Sequence, residues 1–162
     1  MMKRYTILMV LILGLLFVMG CEDDSGTDAN NNDVDVWVGN WLSAGPNVAV
    51  ILSTYFQYDS VKVELAEDNT VTLETHVIGG AWTSQGGTYV LTESSDSEID
   101  VIQLIYTAFE QEGIIQISGD TLTLEAVQTV PDIAATVPTP AAGFGADPTL
   151  GTWNIQTYIR QD

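Results

Sequence analysis

The chain has 162 residues, 46% of them hydrophobic, and its 22 acidic residues oppose 4 basic ones for a formal charge of −18 at pH 7. Nucleic acid and anionic membrane surfaces both call for a basic patch, so this balance excludes them as partners. A single cysteine excludes an internal disulfide, and one cysteine with one histidine falls short of a zinc ligand set.

Lys3 and Arg4 precede an apolar run of 13 residues, Ile7 to Met19, interrupted only by Gly14. A membrane-spanning helix needs about 20 residues, whereas the run has the length of a secretory signal core. It ends in Val18-Met19-Gly20-Cys21, which resembles the lipobox of bacterial lipoproteins: an aliphatic residue, a variable one, a small one, then cysteine. The resemblance implies that residues 1–20 are a signal peptide, and that Cys21 becomes the acylated N-terminus and lipid anchor. A thioether-linked Cys21 has no thiol left for catalysis or metal binding. Several acyl chains, at about 0.8 kcal/mol per buried CH₂, anchor stably where one does not. The expected location is therefore the bacterial cell envelope, lipid-anchored. Glu22 gives no sign of inner-membrane retention, which points to the outer membrane, its periplasmic or surface face left open. Cleavage removes two basic residues and no acidic ones, leaving Lys62 and Arg160 against 22 acids, or −20.

Residues 22–35, EDDSGTDANNNDVD, carry no aromatic and only one large aliphatic residue, Val34. Such a stretch buries too little apolar surface to offset its ordering entropy and reads as a disordered acidic tether, spanning roughly 20 Å as a flexible chain. Its oxygen-bearing side chains resemble the start of a calcium loop. Asp33 stands where an EF-hand needs Gly and Gly39 where it needs Glu, so the segment reads as a solvated spacer.

Residues 36–162 are long enough for one domain with a real core. The stretch VWVGNWLS is a candidate first strand. NVAVILSTYF, after Pro46, fits a short helix or a buried strand, and the helix, covering one end of the sheet, is favoured because the next strand already begins near Asp59. Val61, Val63 and Leu65 alternate with Lys62 and Glu64, the period of a half-buried strand. The turn AEDN joins them to Val71, Leu73, Thr75 and Val77, which alternate with polar residues. A Gly-rich break, GGAWTSQGG, then leads into the strand GGTYVLTE. IDVIQLIY is apolar on both faces, and GIIQIS with TLTLEAVQ forms a hairpin about Gly119-Asp120. TWNIQTYIR closes the chain. Eight short antiparallel strands with tight turns form most economically an up-and-down barrel, whose closure leaves no free edge. The alternative is an open β-sandwich.

Gly39-Asn40-Trp41 in the first strand resembles the GxW signature of the lipocalin-like (calycin-type) superfamily. The resemblance implies that Trp41 plugs one end of the barrel beneath an arginine of the last strand, and Arg160 is the only arginine of residues 36–162. A guanidinium over an indole contributes about 0.5–2 kcal/mol. The segments GGTYVL and GDTLTL, and the ending from Glu125 to Arg160, are similar to small lipocalin-like bacterial lipoproteins. Two features depart from the pattern: a second GxW, Gly151-Thr152-Trp153, and the lack of a C-terminal helical stretch. They leave open which tryptophan is the plug.

No chemistry-bearing motif stands out. His76 shares the polar face with Glu74, no GxSxG elbow or phosphate loop is present, and no enzyme activity, cofactor or metal is expected. Trp37, Trp82, Tyr89 and Tyr106, with Tyr55, Phe56 and Phe109, are candidates to line the barrel interior or its mouth. Trp82, in the Gly-rich break, is the least core-like of them. Residues 129–150 hold four of the five prolines and read as a crossover strap, a lid, or a surface for an envelope partner. Two functions follow. One is a lipoprotein holding a small hydrophobic or lipid-like ligand in the barrel. The other is a structural or interaction lipoprotein with a packed core.

Overall fold

Alternation along each strand decides what the interior contains. On β2 (Tyr58–Leu65), Val61, Val63 and Leu65 are buried while Lys62 and Glu64 between them are exposed. The structure is a computed structural model that describes residues 35–95 and 97–162. Its strands are β1 (Gly39–Ala44), β2, β3 (Thr70–Val77), β4 (Trp82–Thr92), β5 (Asp100–Tyr106), β6 (Glu110–Ser118), β7 (Thr121–Val130) and β8 (Ile155–Gln161). Each pairs antiparallel with the next and β8 returns to β1, giving a closed barrel of eight strands with all-β architecture. A 3₁₀ turn (Gly45–Asn47) and one short helix, α1 (Val50–Tyr55), lie between β1 and β2. The signal reading for residues 1–20, Cys21, and the tether up to Val34 lie outside the described residues.

The turns form where their chemistry allows. Asn69 adopts φ 64 in the AEDN turn, and Gly119 adopts φ 59 in the Gly-Asp turn, the left-handed region that these residues tolerate best. Three boundaries differ from the sequence expectation. The first strand begins at Gly39 rather than Val36, and the last at Ile155, so Trp153 leaves the wall in the preceding turn. The Gly-rich stretch is no break: β4 runs unbroken from Trp82 through Gly86-Gly87. A Cβ at Gly87 would stand 2.3 Å from the Ile105 carbonyl oxygen, so glycine there admits a close strand approach rather than a turn.

Closure is uneven. β1 meets β2 over six residue pairs but meets β8 over only three, Asn40 with Gln161, Trp41 with Arg160 and Leu42 with Ile159. Beyond those pairs the gap is filled by the start of α1. The Ala49 N–H donates to Gln156 Oε1 at 2.7 Å and the Ile51 N–H to the Trp153 carbonyl at 3.0 Å. The Pro-rich strap, after β7 ends at Val130 and up to residue 150, runs outside the wall. Beneath it Ile114, Glu125 and Val127 are buried although strand parity points them outward, and the Gly145 N–H donates to Glu125 Oε2 at 2.7 Å.

Chain direction fixes the two ends. The β2–β3, β4–β5 and β6–β7 turns share one end with Trp37; α1 and the β3–β4 and β5–β6 turns share the other. Trp41, Leu65, Val71, Tyr89, Ile102 and Leu122 fill the first end as a solid core.

Candidate binding site

The upper half of the barrel, toward α1, is not filled. A cavity of about 290 Å³ lies there. Val61 from β2, Leu73 and Thr75 from β3, and Leu124, Ala126 and Gln128 from β7 supply much of its wall. Gln111 and Phe109 face it from β6 and the turn before it, and Leu52 and Phe56 close over it from α1 and its C-cap. Asn154, Gln156 and Tyr158 form its buried side, while Phe56 and Gln85, both exposed, place its rim in solvent. The cavity exists because inward positions near this end are small or flexible, Ala126, Thr75 and four glutamines, where the opposite end has tryptophan, leucine and isoleucine.

None of the cavity-lining side chains is an acid, lysine, arginine or histidine. The Tyr158 hydroxyl is pushed well above the usual phenol range, chiefly by burial, as is that of Tyr106 beneath it. Gln156 is only 3% exposed; its Oε1 accepts from the Ala49 N–H, and its Nε2, on the side chain next to the Tyr158 hydroxyl, makes no hydrogen bond of full geometry. Asn154, 9% exposed, has neither Oδ1 nor Nδ2 paired. Burying polar atoms without partners is costly, and these three belong to residues that border the cavity.

Of the residues singled out from the sequence, Phe56 and Phe109 line the cavity and the others lie elsewhere. Trp41 is 1% exposed and sits under the Arg160 guanidinium, 4.1 Å from ring centroid to Cζ. Arg160 Nη1 donates to the Val38 carbonyl at 2.9 Å and Nη2 to the Val36 carbonyl, while Trp41 Nε1 donates to the Trp37 carbonyl at 2.9 Å. Gly39, at φ 144, is where a Cβ would stand 2.6 Å from Arg160 Nη1, which explains the glycine of the GxW triplet. Trp41 is thus the plug, and Trp153 of the second GxW is half exposed in a turn.

Trp37, Tyr89, Tyr106 and Trp82 do not line the cavity. Trp37 borders a shallow cleft at the closed end with Leu91 and Ile117. Tyr89 is buried there with its hydroxyl donating to the Ala66 carbonyl at 2.8 Å. Tyr106 belongs to the core, its ring 4.7 Å from that of Phe109. Trp82 sits on the outer wall because β4 continues through it. Its ring lies tilted against that of His76, centroids 5.1 Å apart, with Lys62 Nζ 4.2 Å from its ring. His76 Nδ1 lies 2.6 Å from Asp59 Oδ1, and this hydrogen bond holds the Asp59 carboxyl below its usual range. That pairing occupies the histidine outside the barrel, away from the cavity. No protein-family model, no curated protein and no solved structure matches this chain.

Sequence reading missed Gln111, Gln128, Asn154 and Gln156. Gln128 had a signal, since it continues the inward series Leu122, Leu124, Ala126. Gln156 had none: in TWNIQTYIR the apolar set Trp153, Ile155 and Ile159 is the one that turns outward.

Proposed function

We propose that this chain is a binding protein that holds a small, largely apolar ligand in the upper barrel and is tethered to the bacterial envelope through a lipidated Cys21. The observation that carries the binding reading is the cavity of about 290 Å³ with an apolar wall and a few convergent polar groups, the usual make-up of a small-molecule site. The closed eight-strand barrel with the Trp41–Arg160 pair supports the likeness to lipocalin-like proteins. The anchor rests on the Val-Met-Gly-Cys sequence alone.

Native mass spectrometry of the purified full chain, with and without organic extraction, tests the binding reading. A co-purifying small molecule that Ala126→Phe displaces supports it; an empty chain to which no apolar probe binds removes it. For the anchor, Cys21→Ser should move the chain from the membrane to the soluble fraction. A second reading, docking of an envelope partner on residues 129–150, draws on the exposed Ile133 and Val130 of that segment. Crosslinking with and without the strap separates the two, since partners that survive its deletion eliminate it.

A further inference from the structure

The polar groups around the cavity say what kind of ligand enters it. Thr75, Gln85, Gln111, Gln128, Asn154 and Gln156 all present uncharged hydrogen-bonding groups. This is notable in a chain with 22 acidic residues, and strand parity is the cause. Glu74, Glu110, Glu112 and Glu125 each stand next in sequence to a cavity-lining residue and are thereby sent to the outer face.

A charge brought into such a site has no countercharge to meet, and burying an unpaired charge is far more costly than burying a hydrogen-bonded neutral group. A carboxylate ligand would in addition enter against the field of a chain at −18. An ammonium would be drawn by that field but would leave water for a lining without a carboxylate. A purely apolar ligand leaves Asn154 Oδ1, Asn154 Nδ2 and Gln156 Nε2 unpaired, one acceptor and two donors. The terminal torsion of an asparagine is broad, so the Asn154 amide, on the cavity's border, can turn toward an occupant. A ligand group that itself both donates and accepts then completes the set.

Size gives the other bound. At about 30 Å³ per water, the cavity volume of about 290 Å³ corresponds to roughly ten water-sized groups. Building on the binding reading above, we propose that the occupant is an uncharged amphiphile of about ten to fifteen non-hydrogen atoms. Its polar end, of the carboxamide type, is held by Asn154 and Gln156, and its apolar tail lies against Leu52, Leu73 and Leu124.

Isothermal titration of the purified full chain at pH 7.5 with octanamide, octanoate, octylammonium and n-propylbenzene tests this. Octanamide should bind at least about tenfold more tightly than either charged analogue, a difference of about 1.4 kcal/mol. Asn154→Leu should weaken octanamide about tenfold while leaving n-propylbenzene unchanged or tighter, a split that a general loss of structure does not produce. Equal or tighter binding of octanoate or octylammonium overturns the neutral-ligand proposal and leaves the cavity as a binding site. An unchanged octanamide affinity in Asn154→Leu overturns the assignment of the polar end. Failure of all four probes to bind overturns the binding reading itself, and this proposal with it.

Discussion

Asn154→Leu should make the ligand-free protein more stable, although asparagine is the native residue and is buried. Both polar atoms of its side chain lack partners, and a buried polar group left unsatisfied costs about 1–3 kcal/mol. Leucine is of similar volume and carries nothing to satisfy, so the substitution removes that cost without opening a void. A net gain of about 2 kcal/mol is expected, because the leucine branch does not reproduce the flat amide shape in full. For a domain of this size that corresponds to a rise in Tm of roughly 6–10 °C. Gln156→Leu supplies the contrast. Its Oε1 accepts the Ala49 N–H at 2.7 Å where the barrel seam is thinnest, so removing it strands a backbone donor, and a loss of about 1–3 kcal/mol is expected. Differential scanning calorimetry of the two variants beside the native chain gives both shifts. If Asn154→Leu lowers Tm, the amide is satisfied in the native protein, and the idea that it is held ready for a ligand is refuted.

Replacing Arg160 by Met removes a cation from above Trp41 and two donors from the Val36 and Val38 carbonyls. Urea denaturation should show a loss of about 1–3 kcal/mol, and a loss below about 0.5 would make the pair ornamental. Gly113→Ala would place a Cβ 2.0 Å from the Glu125 carbonyl oxygen on the neighbouring strand. Backbone cannot yield as a flexible side chain can, so at least about 3 kcal/mol is lost or soluble protein disappears; a native-like melt would show that β6 and β7 are not so close. Burial keeps Tyr106 and Tyr158 protonated in the folded state beyond the pH, about 10, at which an unfolded tyrosine ionises. Their stabilising effect is therefore full below that pH and declines above it, by about 1.4 kcal/mol per pH unit for each. Tyr106→Phe with Tyr158→Phe should flatten the alkaline limb of a stability–pH profile, and an unaltered limb assigns it to other groups. Glu125→Leu strands the Gly145 N–H, so limited proteolysis between residues 131 and 153 should accelerate while Glu125→Gln, which keeps an acceptor, stays near native.

Much of the barrel is written in local pattern. Period-2 alternation in β2 and β3 gives both the strands and their inward faces, since a half-buried strand must segregate its residues by parity. Turn residues mark the hairpins because only certain side chains tolerate the backbone there. Trp41 and Arg160 were legible as a pair from the GxW triplet and the lone arginine. The ends of the strands were less so. Gly86 and Gly87 look like a break, yet glycine also serves where strands approach closely, and sequence does not separate the two uses.

The cavity was the least legible part. Its walls come from six strands, α1 with its caps and the last turn before β8, and whether inward residues touch or leave space depends on how far apart closure holds them. Aromatic type suggested Phe56 and Phe109, which do line it, but also Trp37, Trp82, Tyr89 and Tyr106, and aromatics fill space wherever parity and depth place them: three of these four lie at the closed end or in the core, and one lies outside. The last strand is the sharpest case. Pairing to β7 and β1 sets its register and turns Asn154, Gln156 and Tyr158 inward while Ile159 is left exposed. A register shift of one residue inverts every face, and register belongs to the neighbours as much as to the strand. The sequence by itself determined the antiparallel strands and the acidic character of the chain, because those follow from local periodicity and composition, and it left open which tryptophan is the plug. Only the tertiary structure decided that the upper half is open and lined by unpaired amides, because that depends on distances between segments far apart in the chain.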